Sequence, residues 1–292
     1  MASRFIAGES LADGIQTIKL LNSKGINATL DHLGEDTDSP EKARQAALDI
    51  IQAFDAIEEA GVRANVSVKL TQIGLGISSE LCIENLEMIL KTAQGYHSFV
   101  RIDMEDSTVT QRTLDVLRSV RQHGFDNVGI VIQAYLYRSE EDIRKLLSEC
   151  VKIRLCKGAY TEPAKVAYPK MRDINSSYDR CTSLIINGAI SQGCPKISPC
   201  GKIPPVPAVA THDSRRIEFA KVYAEKVGLA KDAMEFQMLN GIRRDLQEQL
   251  VKEGYCVRVY VPYGTEWYPY FMRRIAERPA DLLFLFPSIK LR

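Results

Sequence analysis

The sequence has few of the residues that mark metal centres, secreted proteins or membrane spans. It holds four histidines, and none of its seven cysteines forms a Cys-x-x-Cys pair, so no metal site is expected. Several cysteines lie within apolar runs, which is typical of a reducing compartment. No stretch approaches the roughly 18 apolar residues of a membrane span, and the N-terminal residues lack the apolar region of a signal peptide. These absences favour a cytoplasmic protein.

An excess of charge of one sign is also missing. The 38 lysines and arginines nearly balance the 37 aspartates and glutamates, which leaves a net charge of +1. This balance argues against a nucleic-acid partner bound by bulk charge. The chain contains no Gly-x-Gly-x-x-Gly turn, no P-loop and no Gly-x-Ser-x-Gly elbow, so these dinucleotide-binding and hydrolase signatures are absent.

What the sequence does contain is one pattern repeated. Apolar runs of about four to eight residues, typical of strands buried on both faces, alternate with amphipathic stretches. The predicted strands are 27–33, 65–70, 99–104, 128–134, 152–156, 208–211, 235–239 and 256–261. This alternation favours an α/β fold of the TIM-type (βα)8 barrel, in a single domain over residues 1–292. An open doubly wound sheet is the structural alternative, but it usually has fewer strands and a glycine-rich first turn.

Helix boundaries and one interruption can be read between these strands. Ser39 and Pro40 are typical of a helix start, and Gly61 is typical of a helix end. Asp213 or Ser214 can cap a later helix. Residues 193–207 contain five prolines and two cysteines without a core-forming pattern. They are expected to form an extended surface connection, a tolerated insertion before the sixth strand.

Polar side chains follow the apolar runs where each predicted strand ends. Lys69, Asp103, Arg154 and His212 occupy such positions. The carboxyl ends of all strands meet at one mouth of a barrel, so these groups are expected to converge there. Each residue alone has an ordinary alternative: Lys69 as a solvated strand end, Asp103 as a helix cap or partner of Arg101, and His212 as a structural histidine. Together they predict a basic mouth suited to an anionic ligand.

The last helical stretch adds a pair of arginines. Tyr270, Arg273, Arg274 and Glu277 follow a helical spacing that places them on one face. Two guanidinium forks beside an aromatic ring form a good carboxylate clamp, which Glu277 can brace. The alternative is a charged surface face.

Eight motifs in order give the chain a family resemblance. They are Val-Lys-Leu at 68–70, Arg-Ile-Asp-Met-Glu-Asp at 101–106, Gln-Ala-Tyr-Leu at 133–136, Arg-Leu-Cys-Lys-Gly-Ala-Tyr at 154–160, Ala-Thr-His-Asp at 210–213, Glu-Phe-Gln-Met-Leu-Asn-Gly at 235–241, Tyr-Val-Pro-Tyr-Gly at 260–264, and Tyr-x-x-Arg-Arg-x-x-Glu at 270–277. In these motifs the sequence resembles the proline dehydrogenase family, in its short monofunctional bacterial form. The resemblance implies a distorted (βα)8 barrel whose C-terminal helix lies over the mouth.

The resemblance also implies the reaction and the substrate site. The reaction is the flavin-dependent oxidation of L-proline to 1-pyrroline-5-carboxylate, the first step of proline catabolism. The residues implied to bind the substrate are Lys69, Leu239, Tyr260, Tyr270, Arg273 and Arg274. Asp103 lies beside the substrate and braces Lys69, and Tyr260 packs against the proline ring.

The implied cofactor is FAD, bound non-covalently and without a Rossmann fingerprint. Its implied contacts are Met104, Gln133, Arg154, Lys157, Gly158, Ala159, Thr211 and His212. Arg154 lies near flavin N5 and, with Asp103, is the implied catalytic residue. Electrons pass to a membrane quinone, which implies peripheral contact with the inner face of the membrane. The proline-rich stretch looks longer than usual and puts access to the adenine end of the cofactor in doubt.

Three other functions fit parts of the pattern. A Schiff-base aldolase or lyase would use Lys69 or Lys157 as its nucleophile. A non-catalytic barrel could bind a carboxylate without flavin. A flavin enzyme could act on hydroxyproline or an N-alkylated proline instead of proline.

Overall fold

Eight parallel strands close into a barrel, as the sequence predicts. The structure, a computed structural model, describes residues 5–277 except for the side chains of 275–277. The strands are β1 Asn27–His32, β2 Ala64–Val68, β3 Val100–Ile102, β4 Val128–Gln133, β5 Lys152–Cys156, β6 Pro207–Ala210, β7 Glu235–Leu239 and β8 Cys256–Tyr263. Each pairs with the next, and β8 pairs with β1. The fold class is confirmed, whereas a domain over all 292 residues stays a prediction.

Two strands end two residues before their predicted apolar runs do. β2 ends at Val68 and β3 at Ile102, so Lys69 and Asp103 lie just past the regular ladder. Leu70 is fully buried, yet its carbonyl accepts hydrogen bonds within a turn rather than in the sheet. Hydrophobicity reports burial, and buried turn residues therefore extend an apolar run beyond the strand itself.

The helices surround the barrel. They are α1 Leu11–Ser23, α2 Pro40–Glu59, α3 Ser79–Gly95, α4 Thr110–Gln122, α5 Ser139–Ser148, α6 Met171–Ser191, α7 Ser214–Lys226, α8 Arg244–Lys252 and α9 Trp267–Glu277. The predicted caps are confirmed: the side chain of Ser39 accepts a hydrogen bond from Lys42 N, and that of Asp213 accepts one from Arg215 N. None of the helices in the described part is long and apolar enough to cross a membrane.

Buried charged side chains lie inside the N-terminal half of the barrel. Arg258 binds Glu235 at 2.9 Å, and both side chains are fully buried. Arg101 is also buried and donates to Lys152 O at 2.5 Å. Gly129 makes room for it, because a Cβ at this position would lie 2.7 Å from Arg101 Nη1.

The proline-rich segment 193–207 covers the N-terminal end of the barrel. Arg258 Nη2 donates to Gly201 O at 2.6 Å, and Asn65 Nδ2 donates to Lys202 O at 2.9 Å. Asn65 belongs to the beginning of β2, and Gly201 is buried. The expectation of a plain surface connection was therefore wrong for its second half. The segment lies at the end of the barrel opposite the carboxyl ends of the strands.

Helix α9 lies over the other end of the barrel. Tyr270 on α9 packs in a buried cluster with Phe5, Leu33 and Ile242. Leu33 directly follows β1, and Ile242 follows β7. These contacts attach the helix to loops at the carboxyl ends of the strands, as the sequence resemblance implies.

Candidate active site

A cavity of about 390 Å³ lies at the carboxyl ends of the strands. All the predicted site residues except Gln133 line it. They are Lys69, Asp103, Met104, Arg154, Lys157, Gly158, Ala159, Thr211, His212, Leu239, Tyr260, Tyr270, Arg273 and Arg274. Active sites of barrel enzymes are found at this end because loops from every strand meet there.

Asp103 joins several elements at the floor of the cavity. Its Oδ1 accepts from Arg154 Nη1 at 2.9 Å and from Ser67 Oγ at 3.0 Å. Its Oδ2 accepts from Tyr260 OH at 2.7 Å. Burial, reinforced by the charge of Asp103, raises the pKa of Tyr260, so its hydroxyl stays a donor. Asp103 therefore pairs with Arg154 rather than with Arg101, its neighbour on β3.

Lys69 is buried between two carboxylates. Its Nζ lies 3.2 and 3.3 Å from the two carboxylate oxygens of Asp31, 3.5 Å from Tyr260 OH and 3.9 Å from Asp103 Oδ2. Burial opposes the charge, but Asp31 and Asp103 outweigh it and raise the pKa of Lys69 above its ordinary value. Lys69 is thus a charged group of the interior and not a solvated strand end.

Arg273 connects α9 to the loops around the mouth of the barrel. Its Nη1 lies 2.8 Å from Glu35 Oε1, and its guanidinium lies 5.5 Å from the ring centre of Tyr160. The Arg274 guanidinium lies 5.3 Å from the ring centre of Tyr270. Because the Arg273 side chain is only 19% exposed, the arginine pair is not a surface face. Glu277, predicted to brace the pair, has its side chain outside the described residues.

The β5 and β6 ends form the other wall of the cavity. Lys157 Nζ lies 2.8 Å from Asp213 Oδ2. Gly158 has φ +123°, and a Cβ there would overlap the ring of Tyr135. This position requires glycine because both its backbone conformation and its close packing exclude a side chain.

Gln133 and His212 also make contacts within the protein. Gln133 does not line the cavity, and its amide nitrogen donates at 2.8 Å to Met104 O and Glu105 O. His212 lines the cavity, while its Nε2 accepts from Leu239 N at 2.9 Å. His212 therefore makes the contact expected of a structural histidine, and it also forms part of the cavity wall.

Comparison with known proteins identifies the family. A profile of the proline dehydrogenase family matches residues 14–285. Over 289 residues the chain is 42% identical to proline dehydrogenase 2 of Bacillus subtilis, covering 99% of this chain and 90% of that protein. This chain belongs to the proline dehydrogenase family. It is also 43% identical over 289 residues to the proline dehydrogenase of Deinococcus radiodurans, covering 98% of this chain and 88% of that protein.

Solved structures of longer proteins share the fold. Proline utilization A from Bdellovibrio bacteriovorus, inactivated by N-propargylglycine, has a TM-score of 0.85 and 25% identity. That match covers 99% of this chain but 34% of the longer one. Proline utilization A from Bradyrhizobium japonicum has a TM-score of 0.79 at 22% identity, over 97% of this chain and 31% of that one. The barrel of this proline dehydrogenase family member corresponds to about a third of each longer chain.

Four contributors to the site were not predicted as site residues. Asp31 and Ser67 hold Lys69 and Asp103, and Glu35 and Tyr160 hold Arg273. Asp31 at the end of an apolar run was a visible signal, because an acid there needs a partner. Glu35 lies in an acidic loop that offers no such signal, and it meets Arg273 only once the barrel has closed.

Proposed function

We propose that this proline dehydrogenase family member oxidises L-proline to 1-pyrroline-5-carboxylate with bound FAD. Support comes from relatives named proline dehydrogenase that are 42% and 43% identical over nearly the whole chain. The observation that carries the proposal is the set of three cations lining the cavity: Lys69 from the barrel, and Arg273 and Arg274 from α9. Such a set binds a small carboxylate strongly and in one orientation.

The residues beside the cavity fit a flavin. The backbone of Gly158 lines the cavity, and Arg154 and Lys157 provide cationic donors. Among the described residues, Arg154 of the cavity wall has a buried Nε without a hydrogen-bond partner, as has the Oε1 of Gln133, which binds the cavity-lining Met104. A buried group of this kind is costly unless a ligand satisfies it. Met104, Ala159, Thr211 and His212 would complete the contacts. When bound, FAD would supply the two-electron acceptor that these side chains lack.

The protein groups bind and orient the substrate. Lys69, Arg273 and Arg274 hold the carboxylate, while the Tyr260 ring, fixed by its hydrogen bond to Asp103, packs against the proline ring. Leu239 and Tyr270 close the apolar wall. Arg154, fixed by Asp103, would stabilise the negative charge that a bound flavin gains when it accepts hydride. Hydride leaves the carbon next to nitrogen readily only when the amine is uncharged. The rate of proline oxidation should therefore increase with pH.

The electron acceptor and location are part of the same proposal. We infer a membrane quinone as acceptor and a cytoplasmic protein that touches the inner face of the membrane peripherally. The support is the family resemblance, together with a described part that has no membrane-crossing helix. No nucleic-acid partner is proposed, because the net charge is +1.

The Schiff-base alternative conflicts with the site. A nucleophilic lysine must lose its proton, and its pKa is usually lowered for that purpose. The pKa of Lys69 is raised instead, and Lys157 is paired with Asp213 at 2.8 Å. Neither lysine has the environment of an amine nucleophile.

An anaerobic titration of the purified protein tests the proposal. We expect a flavin absorbance spectrum that is bleached by L-proline, with 1-pyrroline-5-carboxylate as product. Parallel titrations with 4-hydroxyproline and N-methylproline test the nearer alternatives, and bleaching by either one more efficiently than by proline would reassign the substrate. A colourless protein that borohydride crosslinks to a carbonyl substrate would support the aldolase instead.

A further inference from the structure

Asp31 is a fully buried carboxylate on β1, directly beside the substrate-binding lysine. It is 0% exposed, and its backbone is paired with Ser67 on β2 and Pro262 on β8. Asp31 is not among the described residues that line the cavity. Both of its carboxylate oxygens lie within 3.3 Å of Lys69 Nζ. Asp31 therefore acts on the site through Lys69, its ion-pair partner, and through Tyr260, with which it also interacts.

Asp103, the other described carboxylate within 4 Å of Lys69 Nζ, cannot replace Asp31. Asp103 already accepts from Arg154 at 2.9 Å, from Ser67 at 3.0 Å and from Tyr260 at 2.7 Å. Lys69 Nζ lies 3.9 Å from Asp103, outside hydrogen-bond distance. Asp31 is thus the direct counter-charge of the lysine.

We propose that Asp31 is a positioning residue that keeps Lys69 charged and directs its remaining N–H donors toward the substrate carboxylate, a role that rests on the proposed function. An ammonium group has three donors, and Asp31 engages it from the side away from the cavity. Without Asp31, Lys69 would be a buried cation facing other cations of the same cavity, Arg154, Arg273 and Arg274. A buried charge without its partner is strongly disfavoured, so the ammonium would lose its proton or turn away.

The groups around Lys69 explain why a pH profile reports this role. The acids and phenols near it are Asp31 on β1, Asp103 and Glu105 after β3, Tyr160 after β5 and Tyr260 on β8. Asp31 makes the largest contribution that favours the charged lysine, and burial opposes it. Removing Asp31 should lower the pKa of Lys69 and bring its loss of charge into the measurable range.

The test compares Asp31→Asn with Glu235→Gln in the flavin-loaded enzyme. Glu235 is a matched control, since it is equally buried and paired with Arg258 at the far end of the barrel. For Asp31→Asn we expect a rise in the proline KM of about tenfold or more with smaller change in kcat. We also expect a new decline of kcat/KM at alkaline pH and retained flavin. Glu235→Gln should lower the melting temperature and leave KM and the pH profile unchanged.

Other outcomes overturn the proposal separately from the function. Asp31→Asn that changes only the melting temperature, as Glu235→Gln does, would make Asp31 a structural residue. If Asp31→Asn does not fold, the proposal is tested in a Lys69→Met background. There the added Asp31→Asn change should recover stability and leave KM unaltered, and a further rise in KM would contradict a role through Lys69. Failure of the unaltered enzyme to oxidise proline would instead refute the proposed function.

Discussion

At the scale of single residues, Arg273 has two competing partners. It is held by Glu35 at 2.8 Å and is proposed to bind the substrate carboxylate. Arg273→Met should raise the proline KM by about 10- to 150-fold, the equivalent of losing a charge-assisted contact of about 1.5–3 kcal/mol, while flavin stays bound. Steady-state kinetics and the flavin spectrum measure both effects. The added change Glu35→Gln should recover part of the loss, because it removes an unpaired acid from the site. An unchanged KM in a folded Arg273→Met variant would remove this arginine from the substrate site.

Lys69 predicts the alkaline behaviour of the enzyme. Its pKa is raised above the ordinary value of 10.5, so its charge is fully present below that pH and is lost only as pH rises through the higher folded value. We expect kcat/KM to increase as the substrate amine loses its proton and to show no decline at or below pH 10.5. A pH–rate profile on stable enzyme measures this. A decline below that pH that Lys69→Arg abolishes would contradict the raised pKa.

At the scale of elements, the loop after β5 forms a tightly packed wall of the cavity. Gly158→Ala should destabilise the loop by about 1–3 kcal/mol because the backbone is left-handed and the added Cβ overlaps Tyr135. We expect a lower ratio of flavin to protein after gel filtration. Gly124→Ala is the control, since Gly124 has φ +94° with no atom within 4 Å of the added Cβ. Equal flavin retention in both variants would show that the close packing of Gly158 does not matter for the cofactor.

At the scale of the whole molecule, the two ends of the barrel have different roles. The N-terminal end contributes to stability, and the carboxyl end holds the proposed active site. The segment 193–207 covers the N-terminal end, where Gly201 has φ +70° and an added Cβ would lie 2.5 Å from Asn27 Oδ1. Gly201→Ala should therefore cost about 1–3 kcal/mol of unfolding free energy and leave the proline KM unchanged. Thermal unfolding and kinetics measure the two quantities. Gly193→Ala, with positive φ but open space, should cost less. A changed KM in Gly201→Ala would show that the two ends are coupled.

The same separation limits what the proline-rich segment can do. It contacts Asn65 and Arg258 at the end of the barrel away from the cavity. Its expected influence on access to the cofactor is therefore not supported by its position. The segment closes the N-terminal end of the barrel over the Arg258–Glu235 pair. This cover excludes water from the two charges, which are fully buried.

The sequence alone determined the repeated strand–helix unit and the end of the barrel at which polar residues meet. Apolar runs between helix caps such as Ser39 and Asp213 predicted eight strands in order, and parallel strands necessarily bring residues such as Lys69 and Asp103 to one mouth. These features depend on local periodicity and capping, which neighbouring residues decide among themselves. The arginine pair on α9 was visible too, but only as one of two interpretations.

Only the tertiary structure decided which charges are partners. Lys69 and Asp31 are 38 residues apart, and Arg273 and Glu35 are 238 apart. The Arg258 contact with Gly201, 57 residues away, likewise places the segment 193–207 at the N-terminal end of the barrel. The first pair follows from the register of β2 on β1 and the second from the closure of β8 on β1, because register sets the height of the side chains at the strand ends. Spacing along the chain carries no information about it.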